Sequence, residues 1–225
     1  MRLVSVAGAC SRAGKTAAAA TVLRCIGSGR ASAVKFTTTE DVWERCPRGT
    51  PCAVCDIDVP FRLIEDPAVL RQAGTDTDRL WAAGARRVLW AIARQGAVEA
   101  AWKAVTRRLG TEGLVVMEGS TIVDQASPDH VIFVLHPFLS PSRWKPTSAQ
   151  LLREADAVVV NRPAGESREP SAGVLAALAA ARGDRRVVVA DVLRPLAEWA
   201  PELADRLREW SAEIPVGAPA ARSDA

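Results

Sequence analysis

The stretch Gly8-Ala9-Cys10-Ser11-Arg12-Ala13-Gly14-Lys15-Thr16 follows the apolar run Leu3–Ala7 and precedes an alanine-rich stretch that begins at Ala17. Its Gly14-Lys15-Thr16 end matches the phosphate-cradling P-loop, with Ala9 where the first glycine belongs and Gly8 one residue early. The chemistry of such a turn is anion capture. Successive backbone N–H groups and a helix N-terminus hold phosphate oxygens, Lys15 reaches the outer phosphates, and the Thr16 hydroxyl ligates Mg2+. Ala9, Cys10, Ser11, Arg12, Ala13, Gly14, Lys15, Thr16 and Ala17 are therefore the candidate nucleotide-binding residues, with Lys15 also catalytic. The alternative is an ordinary glycine turn before an alanine-rich helix.

Two further positions fit the same chemistry. Glu118 ends the apolar run of Gly-Leu-Val-Val-Met-Glu, where a carboxylate could bind Mg2+ directly or through water, orient an attacking group, or merely cap a turn. Asn161 ends Ala-Val-Val-Val-Asn, and its amide offers both a donor and an acceptor to a purine edge. A turn-forming Asn before Pro163 is the competing reading. Arg162, Pro163 and Ala164 follow it, not the Lys and Asp of a guanine-reading motif, which favours ATP over GTP.

Cys46, Cys52 and Cys55 lie in a loop kept out of helix by Pro47, Gly49 and Pro51. Three thiolates with an open position suit an iron–sulfur cluster, or Zn2+ completed by Asp56, His130, His136, another cysteine or a second subunit. Reduced cysteines or a redox pair are the alternative. Asp56 or Asp58 could also complete a magnesium shell. Trp144 could stack on a ligand, and Arg143 and Lys145 could supply cations to a phosphate or simply solvate their loop.

The elements that must position these groups follow from rhythm. Continuous β-branched runs at Leu3, Ser32, Arg87, Gly113, Val131, Ala157 and Arg186 alternate with stretches of helical length at 15–26, 97–109, 148–155, 171–181 and 202–210. That pattern predicts an α/β fold with a doubly wound, mostly parallel sheet covered on both faces. The loops after Ala7, Phe36, Glu118, Leu135, Asn161 and Ala190 should share one edge, where ligands gather. One P-loop domain over 1–214 is expected, with an inserted cysteine-bearing segment at about 37–84 and a flexible tail over 215–225.

The phosphate turn, the run Ala-Val-Lys-Phe ending near Lys35, the block from Gly74 containing Asp76, Thr77, Arg79 and Ala-Ala-Gly-Ala, and Glu118-Gly119 together resemble molybdopterin-guanine dinucleotide biosynthesis protein B. The likeness spans roughly residues 1–165. It implies the dimeric class of P-loop switches and synthetases that also includes dethiobiotin synthetase, hence a homodimer, and it implies Asp76 with Arg79 on a substrate phosphate or nucleotide. The chain departs from that family in lacking two threonines at the end of the turn and a His-rich stretch after the second strand, and the thiol cluster is its own.

At 225 residues, with 48% hydrophobic and 24% charged residues and a net charge of +3, the chain can build a sizeable core but offers no large single-sign field. Nucleic acid is not an implied partner. No apolar stretch approaches the roughly 18 to 20 residues of a membrane span, and the N-terminus has no signal-peptide shape, so a cytoplasmic protein is expected. Five cysteines in such a chain favour free thiols or metal ligation over disulfides. The functional expectation is a nucleoside triphosphatase or nucleotide-binding accessory of cofactor biosynthesis or metal and iron–sulfur handling, acting on a cofactor-dependent enzyme. The alternatives are a small-molecule kinase or ATP-dependent ligase, with Lys35, Asp76 and Arg79 on the acceptor, and a non-enzymatic nucleotide-regulated binding module.

Overall fold

All seven apolar runs form strands, because each supplies side chains to both faces of a covered sheet. The computed structural model describes residues 1–39, 57–110, 113–182 and 187–214. Its strands are β1 (Arg2–Gly8), β2 (Ala31–Thr39), β3 (Phe61–Ile64), β4 (Arg87–Arg94), β5 (Leu114–Glu118), β6 (His130–Leu135), β7 (Ala157–Asn161) and β8 (Val187–Ala190). They form one sheet in the order β3-β4-β2-β5-β1-β6-β7-β8. Every neighbouring pair is parallel except β3 with β4. The edge strand β3 is the element that periodicity misses: four residues, half-exposed, paired on one side only.

The described helices are α1 (Lys15–Ile26), α2 (Pro67–Leu70), α3 (Asp76–Ala82), α4 (Val98–Leu109), α5 (Val123–Ala126), α6 (Ser148–Glu154), α7 (Ala172–Arg182), α8 (Leu196–Trp199) and α9 (Pro201–Ala212). Alternate residues of the central strands divide between two layers. Val4, Val6, Val116 and Val134 pack under α1, α3, α8 and α9. Leu3, Val115 and Met117 face α4, while Ala7, Phe133 and Leu135 face α6 and α7. The sheet is thus wound on both sides, as continuous apolar strands require. Much of the segment from 37 to 84 belongs to this framework: Thr37–Thr39 complete β2, β3 adds the edge, and α3 makes the crossover that a parallel β2–β4 pair needs.

Helix α1 is buried along most of its length, and the small side chains of Ala18, Ala19 and Ala20 let it lie close to the sheet. It is held from behind by the end of the chain. Leu203, Ala204 and Leu207 of α9 pack on it, the Thr21 hydroxyl donates to Val192 O at 2.8 Å, and the Arg30 guanidinium, just past α1, donates to Ser211 O and Ile214 O. Among the described residues no helix is long and apolar enough to cross a membrane.

Candidate functional site

The turn between β1 and α1 emerges at the carboxyl edge of the sheet, flanked by β5 and β6. Gly8 performs the close approach that sequence comparison assigns to position 9. A Cβ there would sit 2.7 Å from Lys15 Cγ and 2.9 Å from Val134 O, so only glycine lets the Lys15 stem cross it. Ala9 is fully buried, packs with Phe133 and Leu135, and donates its N–H to Val134 O at 3.2 Å. The buried Ser120 hydroxyl accepts from Gly8 N at 3.0 Å and donates to Gly8 O at 2.9 Å, clamping the strand end to the β5 loop.

Beyond that clamp the backbone twists through Arg12 at φ 60° and Gly14 at φ 105° before the helix begins at Lys15. A Cβ on Gly14 would also collide with Asn161 Nδ2. Among the described residues no acceptor engages the backbone N–H groups of Ala13, Gly14, Lys15, Thr16 or Ala17. A left-handed turn followed by orphan helix donors is an anion-binding concavity.

Two carboxylates and three ammonium groups surround it. Lys35 and Glu118 are register partners on β2 and β5. Lys35 Nζ forms ion pairs with Asp76 Oδ2 at 2.8 Å, on the first residue of α3, and with Glu118 Oε2. The Thr16 hydroxyl donates to the same Glu118 oxygen at 3.3 Å. Burial alone would pull the Lys35 pKa down, but Glu118 and Asp76 together hold it above the ordinary lysine range. Burial pushes the Asp76 carboxyl up, and Lys35, with Thr16 and Arg79, more than reverses this. Lys15 donates to Cys10 O at 2.7 Å. Its own pKa is lowered by burial, and the Glu118 charge only partly offsets that.

On the opposite flank, the loop from 136 to 147 brings Lys145 beside the turn, with its backbone N–H donating to Ala9 O at 2.8 Å. Burial, and next the Lys15 charge, push the Lys145 ammonium down to about 8. The Cys10 thiol is pushed up by burial despite Lys15, Lys145 and Arg143 nearby. Trp144 is tied into its own loop by donating to Leu139 O at 3.1 Å.

Thr16 and Glu118, with Asp76 close by, fit a hard divalent cation: two carboxylates and a hydroxyl beside a phosphate turn are the donors Mg2+ takes, with waters and phosphates completing its shell. Lys15, Thr16, Lys35, Asp76 and Glu118, far apart in sequence, do come together. Arg79 is exposed one helical turn after Asp76, close enough for its charge to help lower the Asp76 pKa, and Asp78 caps that helix's entry by accepting from Gly74 N at 3.2 Å. Asp58 is exposed beside Arg62. His136 accepts from Phe138 N at 3.1 Å, and His130 lies at the opposite end of β6, against Asp156 and Trp210. Cys46, Cys52, Cys55 and Asp56 lie outside the described residues. Among the described residues no group of three or more His, Cys, Asp or Glu side chains could hold a metal ion.

Asn161 is anchored to the turn. Its Nδ2 donates to Ala13 O at 3.1 Å and its Oδ1 accepts from Val192 N at 3.3 Å, leaving one amide hydrogen and one lone pair. Asn161→Ala should therefore lower unfolding stability by about 1–3 kcal/mol, because two backbone groups lose their partner. Urea denaturation checks this, and an unchanged midpoint would refute the anchoring role. Ser120 is a residue that motif reading passes over, although its place after Glu118-Gly119 put it at the strand end.

No family model matches the chain, and no curated protein matches it. Among solved structures, HypB from Helicobacter pylori, crystallised in complex with nickel, aligns at 11% sequence identity over 97% of this chain and 91% of that one, with a TM-score of 0.45.

Proposed function

We propose that the chain binds a nucleoside triphosphate and hydrolyses it or transfers its terminal phosphoryl group. The observation that carries this reading is the left-handed turn of Arg12 and Gly14 with its unengaged N–H groups, set against Lys15, Thr16 and Glu118. Phosphoryl transfer asks for positioning and charge stabilisation more than for covalent chemistry. The unengaged backbone donors from Ala13 to Ala17 orient the phosphates, and Lys15 leaves Cys10 O to meet the outer ones. Thr16, Glu118 and Asp76 hold Mg2+, which when bound neutralises charge across the outer phosphates. Lys35 compensates Glu118 and Asp76 while no cation does so, and Asn161 fixes the turn while facing the base.

In the fuller reading the protein is a cytoplasmic, dimeric accessory of cofactor biosynthesis or metal handling, with Cys46, Cys52 and Cys55 holding an iron–sulfur cluster or Zn2+. The resemblance to molybdopterin-guanine dinucleotide biosynthesis protein B supports the first half, and the thiol spacing the second. Phosphate release from ATP and from GTP, measured with Mg2+ and anaerobically purified protein, tests the central claim, and metal analysis of the same sample tests the thiols. Slow hydrolysis without an acceptor is the expected result. Turnover that demands one metabolite would replace it with the kinase or ligase reading. Tight nucleotide binding without turnover would leave a nucleotide-regulated binding module.

A further inference from the structure

We infer that Lys145 is a second phosphate-binding lysine, delivered in cis by the loop that follows β6 and directed at the terminal phosphate of a nucleoside triphosphate. The inference rests on the nucleotide reading and adds to it a residue and a discrimination.

The loop is built to hold Lys145 in place. Ser140 caps the short turn Pro141–Arg143 by accepting from Ser142 N, and Trp144 is fixed by its hydrogen bond to Leu139 O and by packing on the core under α6 and α7. Lys145 then donates its backbone N–H to Ala9 O, and Ser148 N donates to Lys145 O at 2.9 Å as α6 begins. Both backbone groups of Lys145 are thereby fixed within the β1–β6 framework. Its side chain does not hang from a free loop tip.

The charge balance then indicates a ligand. Lys35 is matched by Glu118 and Asp76. Among the described residues Lys15 has only the Cys10 carbonyl. Lys145 Nζ makes no hydrogen bond or ion pair among the described residues, although it is half-buried. Two ammonium groups with no carboxylate of their own therefore face one concavity, with the Arg143 guanidinium on its margin. Like charges brought together out of water repel, and a polyanion between them removes that penalty. Apart from burial, Lys15 is the neighbour that most depresses the Lys145 pKa, so the two ammonium groups border one turn, and a phosphate held by Lys15 would be within the field of both. Glu118, Lys35 and Cys10 are the other groups that act on it. The flanks of the turn thus differ in chemistry: acid and hydroxyl on the β5 side, an unmatched ammonium on the β6 side.

A group that meets only the terminal phosphate separates triphosphate from diphosphate. Affinities for ATP, ADP, GTP and GDP, measured by calorimetry on the full chain carrying Lys145→Met, Lys145→Arg or no change, provide the test. A charge-assisted contact is lost in Lys145→Met, so binding of the triphosphate should weaken by about ten- to hundredfold while the diphosphate changes by less than about threefold. Lys145→Arg should restore part of the difference. Equal weakening of both nucleotides, or no weakening of either, overturns the inference while leaving the nucleotide reading intact. If the unaltered protein binds none of the four nucleotides, the nucleotide reading falls and takes this inference with it.

Discussion

Replacing Lys15 by alanine should weaken nucleoside triphosphate binding by about a hundredfold or more, because the ammonium proposed to meet the outer phosphates is removed from a poorly hydrated site. The fold should survive the change. Among the described residues Lys15 makes one hydrogen bond, to Cys10 O, and burial depresses its pKa, so its charged form is held at a cost to folding. A lysine whose folded pKa lies below its unfolded value destabilises the native state while protonated, and removing it relieves that cost. The variant should melt at the wild-type temperature or above. Calorimetric titration with ATP and GTP, read beside a thermal melt, separates lost binding from lost structure. Affinity within about threefold of wild type would show that the turn is not a phosphate site.

Lys35→Met should act in the opposite way, on stability first. The Glu118 side chain is 2% exposed and that of Asp76 42%, and Lys35 is the cation that pairs with both. Without it the buried Glu118 carboxylate keeps, among the described residues, only the Thr16 hydroxyl, and breaking such a pair from one side costs about 3 kcal/mol. Added Mg2+ should recover part of that loss without any nucleotide, because nothing then competes for the two carboxylates. The pH dependence follows from the shifts. Asp76 is held below the usual carboxylate range, so its pairing stabilises the wild type above its unfolded pKa and is lost as pH falls through the lower folded value. Lys35 is held above the usual lysine range, and its contribution is lost only as pH rises through that folded value. The wild type therefore keeps the pair's stabilisation through neutrality, and the variant's deficit should narrow as pH falls toward about 4, where carboxylates protonate. Urea unfolding of both proteins at neutral and acid pH, with and without Mg2+, measures these differences. A deficit below about 1 kcal/mol that ignores Mg2+ would sink the account.

How much of this was legible depended on what a residue's neighbours in sequence can say about it. The seven runs with helices between them read directly as a covered parallel sheet, since burial on both faces imposes continuous apolarity. Lys15 and Thr16 were legible because their chemistry is local to one turn. Glu118 was legible as a strand-terminal carboxylate, and Lys35 and Asp76 entered through family resemblance. Their convergence was not, because it depends on β2 lying beside β5 and on α3 packing across β2 and β4. The antiparallel β3 and the seven-residue α3 are too short for periodicity to separate them from the loop around them. Asn161 read equally well as a base contact or as a turn former, and its bonds to Ala13 and Val192 depend on residues some 148 and 31 positions away. Lys145 read equally well as a phosphate cation or as a solvated loop residue, because the hydrogen bond that brings it to the turn is fixed by the pairing of β1 with β6.

The grip of the last helix on α1 bears on how this protein could be trimmed. Leu203, Ala204 and Leu207 form a backstop against the helix whose first turn carries Lys15 and Thr16, and Arg30 bolts that backstop to the far end of the same helix. A chain ending before Pro201 would leave α1 unsupported along its rear and free to tilt. The spacing between Thr16 and Glu118, partners separated by 102 positions, would then drift. The alignment of the turn proposed to bind phosphate is therefore set in part by a brace on the far side of α1.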